Sequence, residues 1–334
     1  MTVHDIINEL RNKTYRPVYL LSGQEPYYID LVTDFIINNV ISEEEKAFNQ
    51  TVLYGKETDV VSIINAARNF PMIGSHQLIV IKEAQQLKDI DKLAVYAEKP
   101  LKSTLLVINY KHNSYDKRKK LYKAVQACNG ALLESPRLYE NKIPDWINSW
   151  LSSKNCSILP EACMLLVEYL GTDLGKISNE LEKLIISLPE NDKRITLQSI
   201  ERNIGISKDY NTFELQKALV QKNVLKANRI INYFAKNQKT NPFTLTITSL
   251  FFFFSRVFTW HFIKDKSSKN IASALKVNPY FVQEYERAAK KYNPRKTAQI
   301  ISWLREYDMK SKGFGNASTT EGDLLKELIY KIMH

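Results

Sequence analysis

The feature that most constrains this fold is a set of short apolar runs in the first 140 residues, separated from one another by helical patterns. In LIVI (78–81) and LLVI (105–108) every position is apolar, which is typical of strands that are covered on both faces. Their alternation with helices predicts a doubly wound parallel sheet. The predicted strands are 17–22, 49–54, 76–81, 103–109 and 130–135, and the predicted helices between them are 26–40, 58–69, 87–98 and 116–128.

Beyond about residue 140 the strand patterns stop, and we predict helices to the end of the chain. Apolar residues recur at spacings of three and four in 173–188, and Pro242, Pro279 and Pro294 each stand where a new helix is expected to begin. The predicted fold class is therefore α/β plus all-α. We predict three domains: an α/β domain over 1–140, a small helical domain over 141–208 and a larger helical domain over 209–334.

The net charge of the chain favours one class of binding partner. The 334 residues carry a formal net charge of +11, which favours an anionic partner, nucleic acid first and a membrane surface second. The three cysteines and five histidines follow no spacing of a disulfide framework or a zinc site, so we expect no metal and a reducing, cytosolic compartment. The first 17 residues lack the apolar core of a signal peptide, which agrees with that expectation.

One nearly uncharged segment, 241–264, is long enough to span a bilayer. Arg256 would lie inside such a span at a cost of roughly 2.5 to 3.5 kcal/mol, and hydroxyl side chains dilute its first half. We therefore expect a helix that is buried in the core or in an oligomer interface, and no membrane partner.

The stretch VYLLSGQEPYYID (18–30) begins like a phosphate-binding loop, with an apolar strand, a glycine and the start of a helix. A working loop needs further glycines, a Lys for the terminal phosphates and a Ser or Thr for magnesium. The residues that follow Gly23 are instead Gln24, Glu25 and Pro26. Glu25 would repel phosphate, and Pro26 has no N–H to donate. We therefore expect a strand-to-helix turn that binds neither nucleotide nor another cofactor.

Lys82 and Glu83 directly follow the third predicted strand, where an active ATPase of this architecture would carry an acidic pair for magnesium. We interpret Glu83 as a surface ion-pair partner rather than as a metal ligand. An active ATPase stays open as an alternative. So does a sequence-specific DNA-binding regulator, which the helix-turn-helix-like spacing at 275–279 would suit.

Six stretches, spread in order over the whole chain, carry a family resemblance. They are PVYLLSGQEPYYIDLVTDFI, RNFPMIGSHQLIVIKEAQQL, STLLVINYKHNSYDKRKKLYKAV, LVEYLGTDLGKISNELEKLIISL, NTFELQKALV and YDMKSKG. Together they resemble the delta subunit of the bacterial DNA polymerase III clamp loader. The resemblance implies a degenerate AAA+ module, made of a parallel α/β domain and a small helical lid, followed by a helical collar domain.

The same resemblance implies a role in DNA replication. A chain of this family is a non-catalytic subunit that binds and opens the sliding clamp and helps to load it onto primed DNA, without hydrolysing ATP itself. The implied partners are the clamp (beta subunit), the ATPase subunits gamma and tau, the delta-prime subunit and primer-template DNA. The implied setting is cytoplasmic and nucleoid-associated.

The stretch FPMIGS, which starts at Phe70, joins a predicted helix to a predicted strand. Pro71 ends the helix, and Gly74 permits a tight turn. Phe70, Met72 and Ile73 are left on a connecting loop, where they either pack back onto the α/β core or contact a partner. The resemblance implies the second, because the apolar pair that enters a pocket of the clamp falls on Met72 and Ile73, with Phe70 and Pro71 beside it.

Two further features are candidates for contact with DNA. Phe314 lies between two glycines on a polar loop, where it either stacks on a base or packs locally. The resemblance places this collar loop near the primer-template junction. The second feature is a basic cluster, with Asp116 as its one nearby acid, that consists of Lys117, Arg118, Lys119 and Lys120. It is suited to neutralising phosphates without reading sequence, unless it is a solvated helix face or meets a neighbouring subunit.

Overall fold

The structure is a computed structural model that describes residues 1–189, 192–205, 207, 209–316 and 318–334. It divides into two compact units, Met1–Leu138 with Asp173–Gly175, and Tyr139–Thr172 with Lys176–His334. The predicted end of the small helical domain, at 208, falls outside the described residues. The division of the second unit at that point stays a prediction.

The first unit alternates strands and helices. Its elements are α1 (Val3–Arg11), β1 (Val18–Gly23), α2 (Pro26–Asn39), α3 (Glu43–Asn49), β2 (Gln50–Tyr54), α4 (Val60–Ala67), β3 (Gln77–Lys82), α5 (Ala94–Ala97), β4 (Thr104–Lys111), α6 (Lys120–Ala127) and β5 (Ala131–Ser135). The five strands are parallel, in the order β2-β3-β4-β1-β5. The predicted parallel α/β fold is confirmed.

Both faces of the three central strands, β3, β4 and β1, are buried, as their all-apolar runs predicted, whereas the edge strand β2 is largely exposed. Leu20 and Ile79 point to one face, where α4 and α6 cover them. Their neighbours Leu21 and Val80 point to the other face, which α1 and α2 cover. Because successive strand residues alternate between faces, a strand between two helical layers needs an apolar residue at every position.

The helix predicted over 87–98 is wrong for most of its length. A 3-10 helix, Ile90–Leu93, and the single turn of α5 replace it. Asp89 adopts a left-handed conformation with φ 58°, which interrupts any continuous helix at this point. The short helix α3 was not predicted.

The second unit is mainly helical. Its elements are α7 (Ile143–Ser152), β6 (Ser157–Ile158), α8 (Pro160–Leu170), α9 (Leu174–Ser187, whose first two residues group with the first unit), β7 (Arg194–Ile195), α10 (Leu197–Ile204), α11 (Thr212–Val220), α12 (Val224–Lys236), α13 (Phe243–Phe262), α14 (Ser268–Leu275), α15 (Val282–Lys291), α16 (Pro294–Ser311) and α17 (Glu321–Met333). The prediction that strands stop near 140 is wrong in detail, because β6 and β7 form a two-residue parallel pair.

Helix α13 is long and apolar enough to cross a membrane by length and composition. One of its faces, with Ile247, Leu250 and Phe254, is buried in the core that α11 to α17 form together. The prediction of a core helix is confirmed for that face. Phe251 and Phe252 lie on its exposed side.

Candidate functional site

The connection between α4 and β3 carries an apolar loop, 70–75, that projects its side chains into solvent. Phe70 is 74% exposed, Met72 77% and Ile73 50%, while Pro71 is half-buried. The sequence left two alternatives for these side chains, packing onto the α/β core or contact with a partner. Their exposure shows that they do not pack onto the core. Neighbouring exposed apolar side chains of this size are typical of protein contact sites.

Hydrogen bonds hold the backbone of the apolar loop in place, although its apolar side chains face solvent. The Asn49 side chain, at the end of α3, is 2% exposed and bonds to two adjacent loop residues. Its Oδ1 accepts a hydrogen bond from the Met72 N–H at 3.0 Å, and its Nδ2 donates to the Ile73 carbonyl. At the end of the loop, Gln77 Nε2 donates to the carbonyl of Ala66 at 2.6 Å. The loop therefore has a defined shape before any partner binds.

Gly74 completes the turn in a left-handed conformation with φ 72°. A Cβ at this position would overlap the Oε1 atom of Glu45, which lies on α3 one turn before Asn49. The backbone angle therefore favours glycine at this position, whereas the Glu45 side chain is flexible and could move aside.

The cradle loop, 23–26, lies between β1 and α2 and is closed by the chain itself. A Cβ at Gly23 would overlap the carbonyl oxygen of Ser135, so β5 lies directly against this turn. The Glu25 N–H donates to that carbonyl at 3.1 Å, and the Ser135 hydroxyl donates to the Glu25 carbonyl at 2.7 Å. Gln24 is exposed, and Pro26 is the first residue of α2.

The Glu25 side chain lies at the N-terminus of α2, where a phosphate group would bind in a nucleotide site. Its Oε1 accepts a hydrogen bond from the Tyr27 N–H at 3.1 Å, and the residue is only 4% exposed. Burial raises the pKa of the Glu25 carboxyl, and the Tyr27 hydrogen bond opposes that shift. The Glu25 carboxyl group thus caps the N-terminus of α2 from within the protein.

The carboxylate of Glu83, which directly follows β3, is paired with a lysine. Lys111 Nζ lies 3.4 Å from Glu83 Oε1 and 2.7 Å from Asp30 Oδ1. Glu83 is therefore the ion-pair partner that the sequence led us to expect. Within the described residues, no group of three or more His, Cys, Asp or Glu side chains is placed to hold a metal ion.

The basic cluster, 117–120, is more nearly neutral than its sequence indicates. Lys117 pairs with Glu134 at 2.7 Å, and Lys119 pairs with Asp91 at 3.0 Å. Arg118 pairs with Asp116 at 2.8 Å and lowers the pKa of that carboxyl to about 2. The expectation that Asp116 alone counters the cluster is wrong, since Glu134 and Asp91 come from distant parts of the chain. Lys120 is exposed.

Phe314 lies on the turn after α16 and is 63% exposed. Its backbone N–H donates to the Met309 carbonyl at 3.1 Å, which fixes the turn and leaves the ring in solvent. Phe314 belongs to the second unit and the basic cluster to the first. The helix-turn-helix-like pair, α14 and α15, buries Leu275 and Val282 in the helical core.

Two family models match this sequence. The model described as "DNA polymerase III, delta subunit" matches residues 19–134, and "DNA polymerase III delta subunit, C-terminal domain" matches residues 209–325. The chain is 26% identical over 324 residues to a DNA polymerase III subunit delta from Bacillus subtilis, with 92% of each chain covered. It also resembles the solved structure of a Bacillus subtilis DNA clamp loader delta protein, with 23% identity, 99% of each chain covered and a TM-score of 0.54.

Proposed function

This chain belongs to the family of DNA polymerase III delta subunits, and from that premise we propose that its apolar loop binds the sliding clamp (beta subunit) of DNA replication. The observation that carries the proposal is the exposure of Met72 and Ile73 on a backbone that Asn49 holds in place. Phe70 and Pro71 flank the pair and extend the apolar contact.

The energy of such a contact is sufficient for a specific interface. Burying Met72 and Ile73 in a pocket contributes roughly 1.5 to 3 kcal/mol for each side chain. A pair of this strength is a hot spot, and the flexible thioether of Met72 suits a pocket that several partners use in turn.

We further propose that the chain opens the clamp without hydrolysing ATP. Glu25 fills the phosphate position and Lys111 pairs with Glu83, which favours a non-catalytic subunit over an active AAA+ ATPase. The chain would stabilise the open or strained form of the clamp by binding it more tightly than the closed form. ATP on the partner subunits gamma or tau would control access to the apolar loop, with delta-prime completing the assembly.

Residues 141–208 would form the lid and residues 209–334 the collar of this AAA+-like module. The exposed Phe251 and Phe252 of α13 suit contact with the collars of neighbouring subunits. For primer-template DNA, the exposed Phe314 is the better candidate, because ion pairs already occupy Lys117, Arg118 and Lys119. A subunit of DNA polymerase III works in the cytoplasm, and we expect this one to be associated with the nucleoid.

The test is the variant Met72→Ala with Ile73→Ala, titrated calorimetrically against the purified cognate clamp. We expect affinity to fall on the order of 100-fold or more, because two buried side chains are truncated. The thermal unfolding curve should stay unchanged, since both side chains lie in solvent in the free chain. The matched control is Val95→Ala with Ile186→Ala, which truncates two exposed apolar side chains elsewhere and should bind the clamp normally. Equal affinity of wild type and the loop variant would contradict the proposal.

A further inference from the structure

The apolar loop depends on a residue outside it. Asn49 lies 23 residues before Met72 in the chain, yet its side-chain amide touches the backbone of the two most important loop residues. A single side-chain amide thus makes both hydrogen bonds: its Oδ1 accepts from the Met72 N–H, and its Nδ2 donates to the Ile73 carbonyl. An amide side chain offers a donor and an acceptor together, whereas a carboxylate offers only acceptors and an alanine offers neither.

Helix α3 supports the loop at a second point. Glu45 and Asn49 are four residues apart, so they lie on the same face of this helix. Glu45 lies against Gly74 and accepts a hydrogen bond from the Ser42 N–H, which ties it into the first turn of α3. Asn49 therefore holds the loop at residues 72 and 73, and Glu45 of the same helix face lies against residue 74.

We propose that Asn49 is a positioning residue for clamp binding. It holds the backbone of the apolar loop in the conformation in which Met72 and Ile73 enter the clamp, while its own side chain stays buried and touches no partner. The inference rests on the proposed function of the loop. Without Asn49, the clamp would have to order the loop on binding, and the lost conformational entropy would weaken the complex.

The first experiment compares Asn49→Ala with wild type in two measurements on the full chain. By calorimetry, affinity for the clamp should fall about tenfold, which corresponds to about 1.4 kcal/mol. By hydrogen exchange, the Met72 amide should exchange faster, because its acceptor is gone. The matched control is Asn65→Ala, which removes an exposed amide from α4 and should change neither measurement.

A second variant guards against loss of folding. Asn49→Asp keeps the size of the side chain and the acceptor for Met72, but it replaces the donor to Ile73 with an oxygen that repels the carbonyl. We expect it to bind the clamp about tenfold more weakly as well. Protection of the Met72 amide should be retained, which separates the two hydrogen bonds.

The outcomes also separate this inference from the proposed function. If Met72→Ala with Ile73→Ala abolishes clamp binding but both Asn49 variants bind like wild type, the positioning role is wrong and the clamp-binding role stands. If the Met72 amide exchanges at the wild-type rate in Asn49→Ala, the positioning role is also wrong. If the loop variant binds the clamp normally, the proposed function fails.

Discussion

The cradle loop and the apolar loop each join a helix and a strand of the first unit, and in each a buried polar side chain fixes the backbone. In the cradle loop that side chain is Glu25, a member of the loop, which is buried and caps the N-terminus of α2. In the apolar loop it is Asn49, which comes from outside. The loop's own side chains are consequently free to face solvent.

The difference shows two ways in which this unit builds a loop between a helix and a strand. The cradle loop is closed by an internal carboxylate at the N-terminus of α2 and by the close approach of β5. The apolar loop is open to solvent, and α3 holds its backbone at residues 72 and 73.

The largest expected effect is the loss of stability caused by a substitution in the cradle loop. Gly23→Ala places a Cβ into the backbone of β5, which cannot move without breaking the edge of the sheet. We expect a loss of about 3 kcal/mol in the free energy of unfolding of the first unit. Hydrogen exchange of the β1 amides in increasing urea measures it. The control Gly205→Ala also has a positive φ but nothing within 4 Å, so it should lose only about 1 kcal/mol, in the second unit.

Gly74→Ala is expected to be milder in stability and visible in binding. The new Cβ meets the end of the Glu45 side chain, which can rotate away, so the main cost is the left-handed backbone at about 1 kcal/mol. Clamp affinity should fall severalfold as the turn relaxes, and calorimetry would measure the change. If Gly74→Ala destabilises the first unit as much as Gly23→Ala does, the backbone of the apolar loop contributes as much to stability as that of the cradle loop. The contrast drawn between the two loops would then be wrong.

Much of the fold could be predicted from the sequence for a plain physical reason. Strands such as 78–81 are apolar at every position, and a sheet between two helical layers is the arrangement that buries both faces. The strand-to-helix turn at 23–26 was also predictable, since Pro26 suits the first turn of a helix. These features depend on residues that are neighbours in the chain, so the sequence alone reveals them.

The rest depends on contacts between distant residues. Exposure of Met72 and Ile73 could not be decided from their own residue types, because the same side chains suit a loop that folds inward. Asn49 decides it, from a stretch that we predicted as the start of a strand. The pairing of Lys117 with Glu134 was equally invisible, because it joins the segment before α6 to β5.

The smallest expected effect tests whether the cradle loop is held by charge or by packing. Burial raises the pKa of Glu25 in the folded protein, so the folded state binds this proton more tightly than the unfolded chain does. Its stabilising contribution is therefore greatest below the unfolded pKa of 4.5 and is lost as pH rises through the folded pKa. Glu25→Gln keeps an acceptor for the Tyr27 N–H without the buried charge. We expect it to be slightly more stable than wild type at pH 7, with the difference closing toward pH 4.5.

Glu9→Gln is the control of opposite sign. A hydrogen bond from Arg16 lowers the pKa of Glu9, so this variant should be less stable than wild type at pH 7 and should approach it in acid. Urea unfolding from an acid pH below 4.5, where Glu9 becomes protonated, up to pH 8, followed by hydrogen exchange of the β1 amides, measures both. If Glu25→Gln loses stability at pH 7 as Glu9→Gln does, the negative charge at the N-terminus of α2 holds the loop. If it gains stability, the loop is closed by packing and not by the charge of Glu25.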